Sequence, residues 1–114
     1  MKEVGAPLTR ADEILLLAIL RLGDEANGIN IRSDILERAG KKLSFGSLWV
    51  SLDLLRKRGL VEKHMADPTP RRGGRGQLYY RITPEGIHAL DSARRFQEAL
   101  WKGIPDRISN LKKS

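Results

Sequence analysis

Apolar residues return at helical intervals in several stretches of this chain, and between residues 60 and 82 the pattern changes to that of strands. Ile14, Leu15, Leu17, Ala18 and Leu22 form the first series, whose spacing predicts an amphipathic helix. Thr9 is placed to cap it, Asp12 stands at the third helical position as in a capping box, and Gly23 ends it. Asp24 to Asn27 reads as a loop. A second, short helix follows, with Ile31, Ile35 and Leu36 inward, Arg32, Asp34 and Glu37 outward, and Gly40 at its C-cap. The third helix starts near Ser44, a good N-cap, and runs to Arg58 before Gly59. At ~100° per residue Leu48, Leu52 and Leu55 share one stripe, which is core. Val50, Asp53, Leu54 and Lys57 lie opposite, Gly46 and Ser47 occupy the exposed first turn, and Trp49 sits on the flank.

Leu60–Met65 and Gln77–Ile82 then read as two strands of a hairpin, separated by Asp67-Pro68-Thr69-Pro70 and the tip Arg71-Arg72-Gly73-Gly74-Arg75-Gly76. Thr83-Pro84-Glu85 starts a long fourth helix, because Thr caps and Pro at the first helical position loses no hydrogen bond. Ile87, Leu90, Ala93, Phe96 and Leu100 line one side of it. Gly103 and Pro105 interrupt it, and Ile104, Ile108 and Leu111 resume the apolar side. Either the first helix or a second copy of the chain covers this side; its apolar excess favours the second copy. Three helices, a hairpin and a long helix predict a mainly α fold with a small β-hairpin, a winged helix-turn-helix. Residues 1–82 would form the winged region and 83–114 a C-terminal dimerisation helix, together one structural domain.

Charge sharpens this picture. The 114 residues carry a formal net charge of +7, and most of the excess is local. Residues 56–81 hold Arg56, Lys57, Arg58, Lys63, Arg71, Arg72, Arg75 and Arg81 against Glu62 and Asp67, a net +6, whereas residues 1–40 are net −2. A basic patch of this kind is the electrostatic footprint of a nucleic-acid binder. Arg presents a planar fork to phosphate oxygens, and Gly lets the backbone approach closely. A membrane-surface role would put the charges on an amphipathic helix instead. The longest apolar run, Ile14 to Leu20, is too short to span a bilayer, and no signal-peptide pattern surrounds it. The chain has no cysteine, which excludes disulfides and thiolate metal sites and agrees with a cytoplasmic protein. His64 and His88 are its only histidines, with no nucleophile or carboxylate pair at a working spacing, so neither an enzyme nor a metal site is expected, and no cofactor.

The residues expected to meet duplex DNA are Lys41, Lys42, Ser44, Ser47, Trp49, Val50, Ser51 and Lys57 around the third helix, and Arg71, Arg72 and Arg75 on the wing. Ser hydroxyls suit base edges or phosphates and Val50 suits a thymine methyl, while Ser51 points nearer the core. Trp49 reads equally as a packing residue. Ile87, Leu90, Phe96, Leu100, Trp101, Ile104, Ile108 and Leu111 are the expected dimer contacts. Phe96 and Trp101 are candidates for stacking on a small hydrophobic effector, although aromatics at such positions more often only pack. The rival reading is a winged helix used for protein interaction or RNA binding, since fold does not fix function.

Five segments in order resemble the PadR family of bacterial transcriptional regulators. They are Leu22 to Gly28 after the first helix, Ser44 to Leu55, Gly59-Leu60-Val61 entering the wing, Gly73-Gly74-Arg75 at its tip, and Tyr79 to Gly86 leaving it. The resemblance spans residues 8 to 100, and the short C-terminal region resembles the small subgroup. It implies a homodimer on a pseudo-palindromic operator, usually a repressor and often released by a small molecule. The chain departs from the family pattern at Asn27 and Trp49, where Tyr is usual, at Leu54, where Arg is usual, and at Gly76-Gln77, which dilutes the basic run.

Overall fold

The structure is a computed structural model and describes residues 7–65 and 77–113. Helix α1 (Arg10–Leu22) starts with the expected capping box: the Thr9 hydroxyl accepts from the Asp12 amide at 3.0 Å, and the Asp12 carboxylate accepts from the Thr9 amide at 2.9 Å. A 3-10 turn (Gly23–Glu25) leads to α2 (Gly28–Ala39), capped by Asn27 and closed by Gly40 in the left-handed conformation. Helix α3 (Phe45–Lys57) is capped by Ser44. Strands β1 (Val61–Met65) and β2 (Leu78–Ile82) pair antiparallel from Val61 opposite Ile82 to Met65 opposite Leu78. Helix α4 (Pro84–Trp101) and helix α5 (Ile104–Lys113) complete the chain.

The core lies where α1, α2 and α3 meet the root of the hairpin. Leu15, Leu16, Ala18 and Ile19 of α1 pack with Ile31 and Ile35 of α2, with Leu48, Leu52 and Leu55 of α3, and with Leu60, Val61 and Tyr80. Burial also pushes the Tyr80 phenol above its usual pKa. The hairpin gains a short third edge: Asn27 bridges Tyr79, and the Tyr80 amide donates to the Ala26 carbonyl at 2.9 Å. A two-stranded ribbon alone is marginal in water, so this edge and the core at its root hold it in place.

Four expectations need correction. Leu36 is not inward but 44% exposed, because Ile31 and Ile35 alone complete the α2 stripe. Leu17 belongs to a second, exposed face of α1, and Leu16 and Ile19 take the buried positions. Asp34 does not simply face solvent: its side chain is largely covered and ion-paired with Arg21 of α1 and Arg38. Pro105 does not break a helix but sits in the first turn of α5, where its missing N–H is harmless; the interruption falls at Lys102 and Gly103, whose φ is 79°.

Thr83 joins the wing to α4. Its hydroxyl donates to the Gly59 carbonyl at 2.7 Å and accepts from the Gly86 amide at 3.0 Å, and its own amide donates to the Leu60 carbonyl at 3.0 Å. The junction is tight enough that a Cβ on Gly86 would lie 2.2 Å from the Leu60 carbonyl oxygen. Gly86→Ala is therefore expected to destabilise the fold by about 1–3 kcal/mol, the usual range for overpacking, despite the higher helix propensity of Ala. A denaturant melt showing equal or greater stability would contradict the packing at this joint.

The Arg21–Asp34 pair ties α1 to α2, with Arg21 Nε 3.1 Å from Asp34 Oδ2. Hydrogen bonding from Arg21, aided by the charges of Arg21 and Arg38, lowers the Asp34 pKa below its ordinary 3.8 against a desolvation that raises it. A depressed carboxylate contributes stability above its unfolded pKa and loses it as pH falls through the folded value. Asp34→Asn should thus cost about 1 kcal/mol at neutral pH, with the difference from wild type shrinking as pH drops below 3.8. Melts at neutral and acid pH check the sign.

Candidate nucleic-acid interface

The buried stripe of α3 decides what its other side presents. With Leu48, Leu52 and Leu55 fully buried, Val50, Leu54 and the first turn face outward. Small Gly46 and Ser47 at that turn leave the front of the helix low, and the positive end of the helix dipole favours a phosphate nearby. The Ser44 hydroxyl is engaged as the cap, accepting from the Ser47 amide at 3.1 Å. Ser47 and half-buried Ser51 border a cavity of about 250 Å³ between α3, the start of α1 and the α2–α3 loop. Ser51 is half-buried, and Val50 is the more outward of the two.

Trp49 is 42% exposed and lies over the start of α2, so packing and exposure both hold for it. On the same side of α3, the Arg32 guanidinium stacks over the Phe45 ring at 4.6 Å and donates to the Leu43 carbonyl. Sequence spacing gave no hint of either contact, since both cross between elements.

Pairing redistributes the charge of this region. Arg56 and Lys57 both bind Asp53, at 2.8 and 3.3 Å, and their hydrogen bonds hold its carboxyl below the usual range. Arg58 meets Asp12 at 3.2 Å. Lys41 and Lys42 precede α3 and are exposed, with no ion pair to another described residue. Lys63 extends the exposed cations onto β1, where His64 stacks on Tyr79 across the ladder at 5.9 Å. Arg71, Arg72 and Arg75 lie outside the described residues.

A second, apolar region lies between α1 and α4. Leu17 and Leu20 of α1 and Ile87 and Leu90 of α4 line a groove of about 450 Å³, with Glu13, Asp91, Arg94 and Gln97 on its rim. Beyond it Phe96, Leu100, Trp101, Ile104, Ile108 and Leu111 are all exposed. Ile87 and Leu90 share the groove with Leu17 and Leu20, and the other expected dimer contacts are exposed along α4 and α5. The signal of Leu17 and Leu20 in the sequence was the unbroken apolar run Ile14 to Leu20, more than a one-sided helix needs. Among the described residues no cluster of His, Asp or Glu is arranged to hold a metal, and no helix is long and apolar enough to cross a membrane.

Three helices with a capped, outward-facing third member and an attached hairpin define a winged-helix protein. The Transcriptional regulator PadR-like family model matches residues 16–92, and the chain belongs to that family, one of transcription regulators and not of enzymes. The fold is shared with a transcriptional regulator from Clostridium thermocellum, at 26% identity over 83% of this chain and 89% of that one, TM-score 0.66. A PadR family transcription regulator from Clostridium difficile R20291 is 22% identical over 87% and 95% of the two chains, TM-score 0.61. A PadR-like transcriptional regulator from Bacillus cereus is 20% identical over 90% and 91%, TM-score 0.63. No curated protein matches the chain.

If Lys41 and Lys42 meet phosphates, replacing both with Glu should weaken binding to specific and random duplexes alike. The slope of log affinity against log salt should shallow by about 0.9 per lost contact. A salt-titrated anisotropy series with an unaltered slope would remove this pair from the interface.

Proposed function

We propose that this DNA-binding regulator acts as a homodimer on a pseudo-palindromic operator, as a repressor, and that a small hydrophobic effector modulates it from the C-terminal limb. The observation carrying this reading is the presence of two unlike surfaces on one core. One is the front of α3 with Lys41 and Lys42 beside it; the other is the uncovered apolar limb of α1, α4 and α5. An apolar series of this length is normally covered, and a two-fold axis covers it with the same face of a second chain. The same axis would set two α3 helices ~34 Å apart, one duplex turn.

Within each half-site, Ser47, Val50 and Trp49 are assigned to base edges, Ser44 and Lys57 to the backbone, and Arg71, Arg72 and Arg75 to phosphates beside the wing. Ser51 is the weakest member, being half-buried where Ser47 and Val50 are exposed. Lys57 shares Asp53 with Arg56 through an exposed pair, which a phosphate can displace at little cost. Phe96 and Trp101 offer exposed rings to a planar apolar molecule where the two limbs would meet. Repression follows from occupancy: a dimer seated on an operator blocks competing proteins, and an effector that alters the spacing of the two α3 helices releases it.

Replacing Leu100 with Glu and Ile104 with Lys tests the dimer. The variant is expected to remain helical by circular dichroism, to scatter light as a monomer, and to lose binding to a palindromic duplex selected by the wild type. A monomeric wild type at micromolar concentration would refute the paired-site mechanism and make a protein-interaction role the leading reading.

A further inference from the structure

Gly28 and Trp49 meet where α2 begins beneath the flank of α3. A Cβ built on Gly28 would lie 2.4 Å from Trp49 Cη2 and 3.1 Å from Cζ2 and Cζ3. The far edge of the indole therefore rests on the backbone of the first turn of α2, and Gly28 is buried beneath it. Gly28 is not among the glycines with positive φ, so its backbone does not require glycine. Space alone does. An indole is a rigid plate with no flexible end to bend away, so any side chain at this position must tilt the ring out or displace α3.

The residue before it holds the wing. The Asn27 side chain accepts from the Asn30 amide at 2.8 Å and donates to Gln77 Oε1 at 3.1 Å, which also accepts from the Tyr79 hydroxyl at 3.2 Å. Asn27 in addition bridges Tyr79 of β2. Two consecutive residues thus anchor strand β2 of the wing and the flank of the recognition helix to one helical turn.

We infer that Gly28 is a positioning residue for DNA sequence choice. By seating Trp49 it fixes the angle at which α3 presents Val50 and Ser47 relative to the wing root. The inference rests on the reading of α3 as the helix that meets bases.

The test is a double-mutant cycle of Gly28→Ala and Trp49→Phe, since phenylalanine lacks the outer ring edge that the new methyl would meet. The probe is a duplex enriched by the wild type from a randomised library, against a scrambled duplex of the same composition. Gly28→Ala alone is expected to lower the affinity ratio between the two duplexes about tenfold, within the range seen for contacting residues. In the Trp49→Phe background the same change should alter it less than about twofold. Free of DNA, with Trp101→Phe leaving Trp49 as the sole tryptophan, Gly28→Ala should shift emission to longer wavelength and increase acrylamide quenching.

Should Gly28→Ala alone not fold, Gly28→Ala with Trp49→Phe must fold for the contact to stand. An equal penalty in both backgrounds overturns the proposal, as does an emission shift that leaves the affinity ratio intact. An unmoved emission spectrum disproves the seat itself. These outcomes differ from failure of the functional reading, in which the wild type would enrich no sequence from the library at all.

Discussion

The burial of Leu48, Leu52 and Leu55 against α1 and α2 is the constraint from which the rest of the molecule takes its orientation. Each is almost wholly excluded from water, and together they span the length of α3. Burying a leucine is worth about 1.5–3 kcal/mol, enough for three of them to dominate the placement of a 13-residue helix. Once that stripe is seated, a rotation of α3 would expose it, so the outward face is fixed without any contact of its own. Val50 and Leu54 are exposed because their neighbours are buried.

The chain then uses short polar locks to place the hairpin and α4 on this core. Thr83 connects the end of α3, the entry to β1 and the first turn of α4 through three hydrogen bonds. Asn27 does the equivalent for β2 at the start of α2. A ribbon with a buried root suits a wing, since that root inherits the rigidity of the core. Charge is arranged differently. Several cations at the end of α3 already have carboxylate partners, so the local excess counted from the sequence overstates what the described surface offers to a phosphate. The exposed lysines before α3 and the cation on β1 stand closer to the full value of their charge.

Much of the fold was legible because its signals are local. Capping by Thr9, Ser44 and Thr83 and the left-handed stop at Gly40 depend on residues within one turn, and each appears where the spacing places it. The α3 stripe was legible for the same reason, as was the change of period into the hairpin. The errors share a cause as well. Leu17 and Leu36 are as apolar as their buried neighbours Leu16 and Ile35, and periodicity cannot say which of two adjacent apolar residues meets the core. Pro105 was read as a breaker because its effect depends on whether a helix precedes it or starts there.

The sequence by itself determined the order of elements, their caps, the face of α3 that must be buried and the family to which the chain belongs. Those properties follow from propensity and period, which act over a few residues. Only the tertiary structure decided that Trp49 rests on Gly28, that Arg32 covers Phe45, that Asp34 clasps Arg21, and that Leu17 and Leu20 share a groove with Ile87 and Leu90. Each of these joins residues far apart in the chain, and their meeting depends on helix packing angles set by the whole core, which no local pattern encodes.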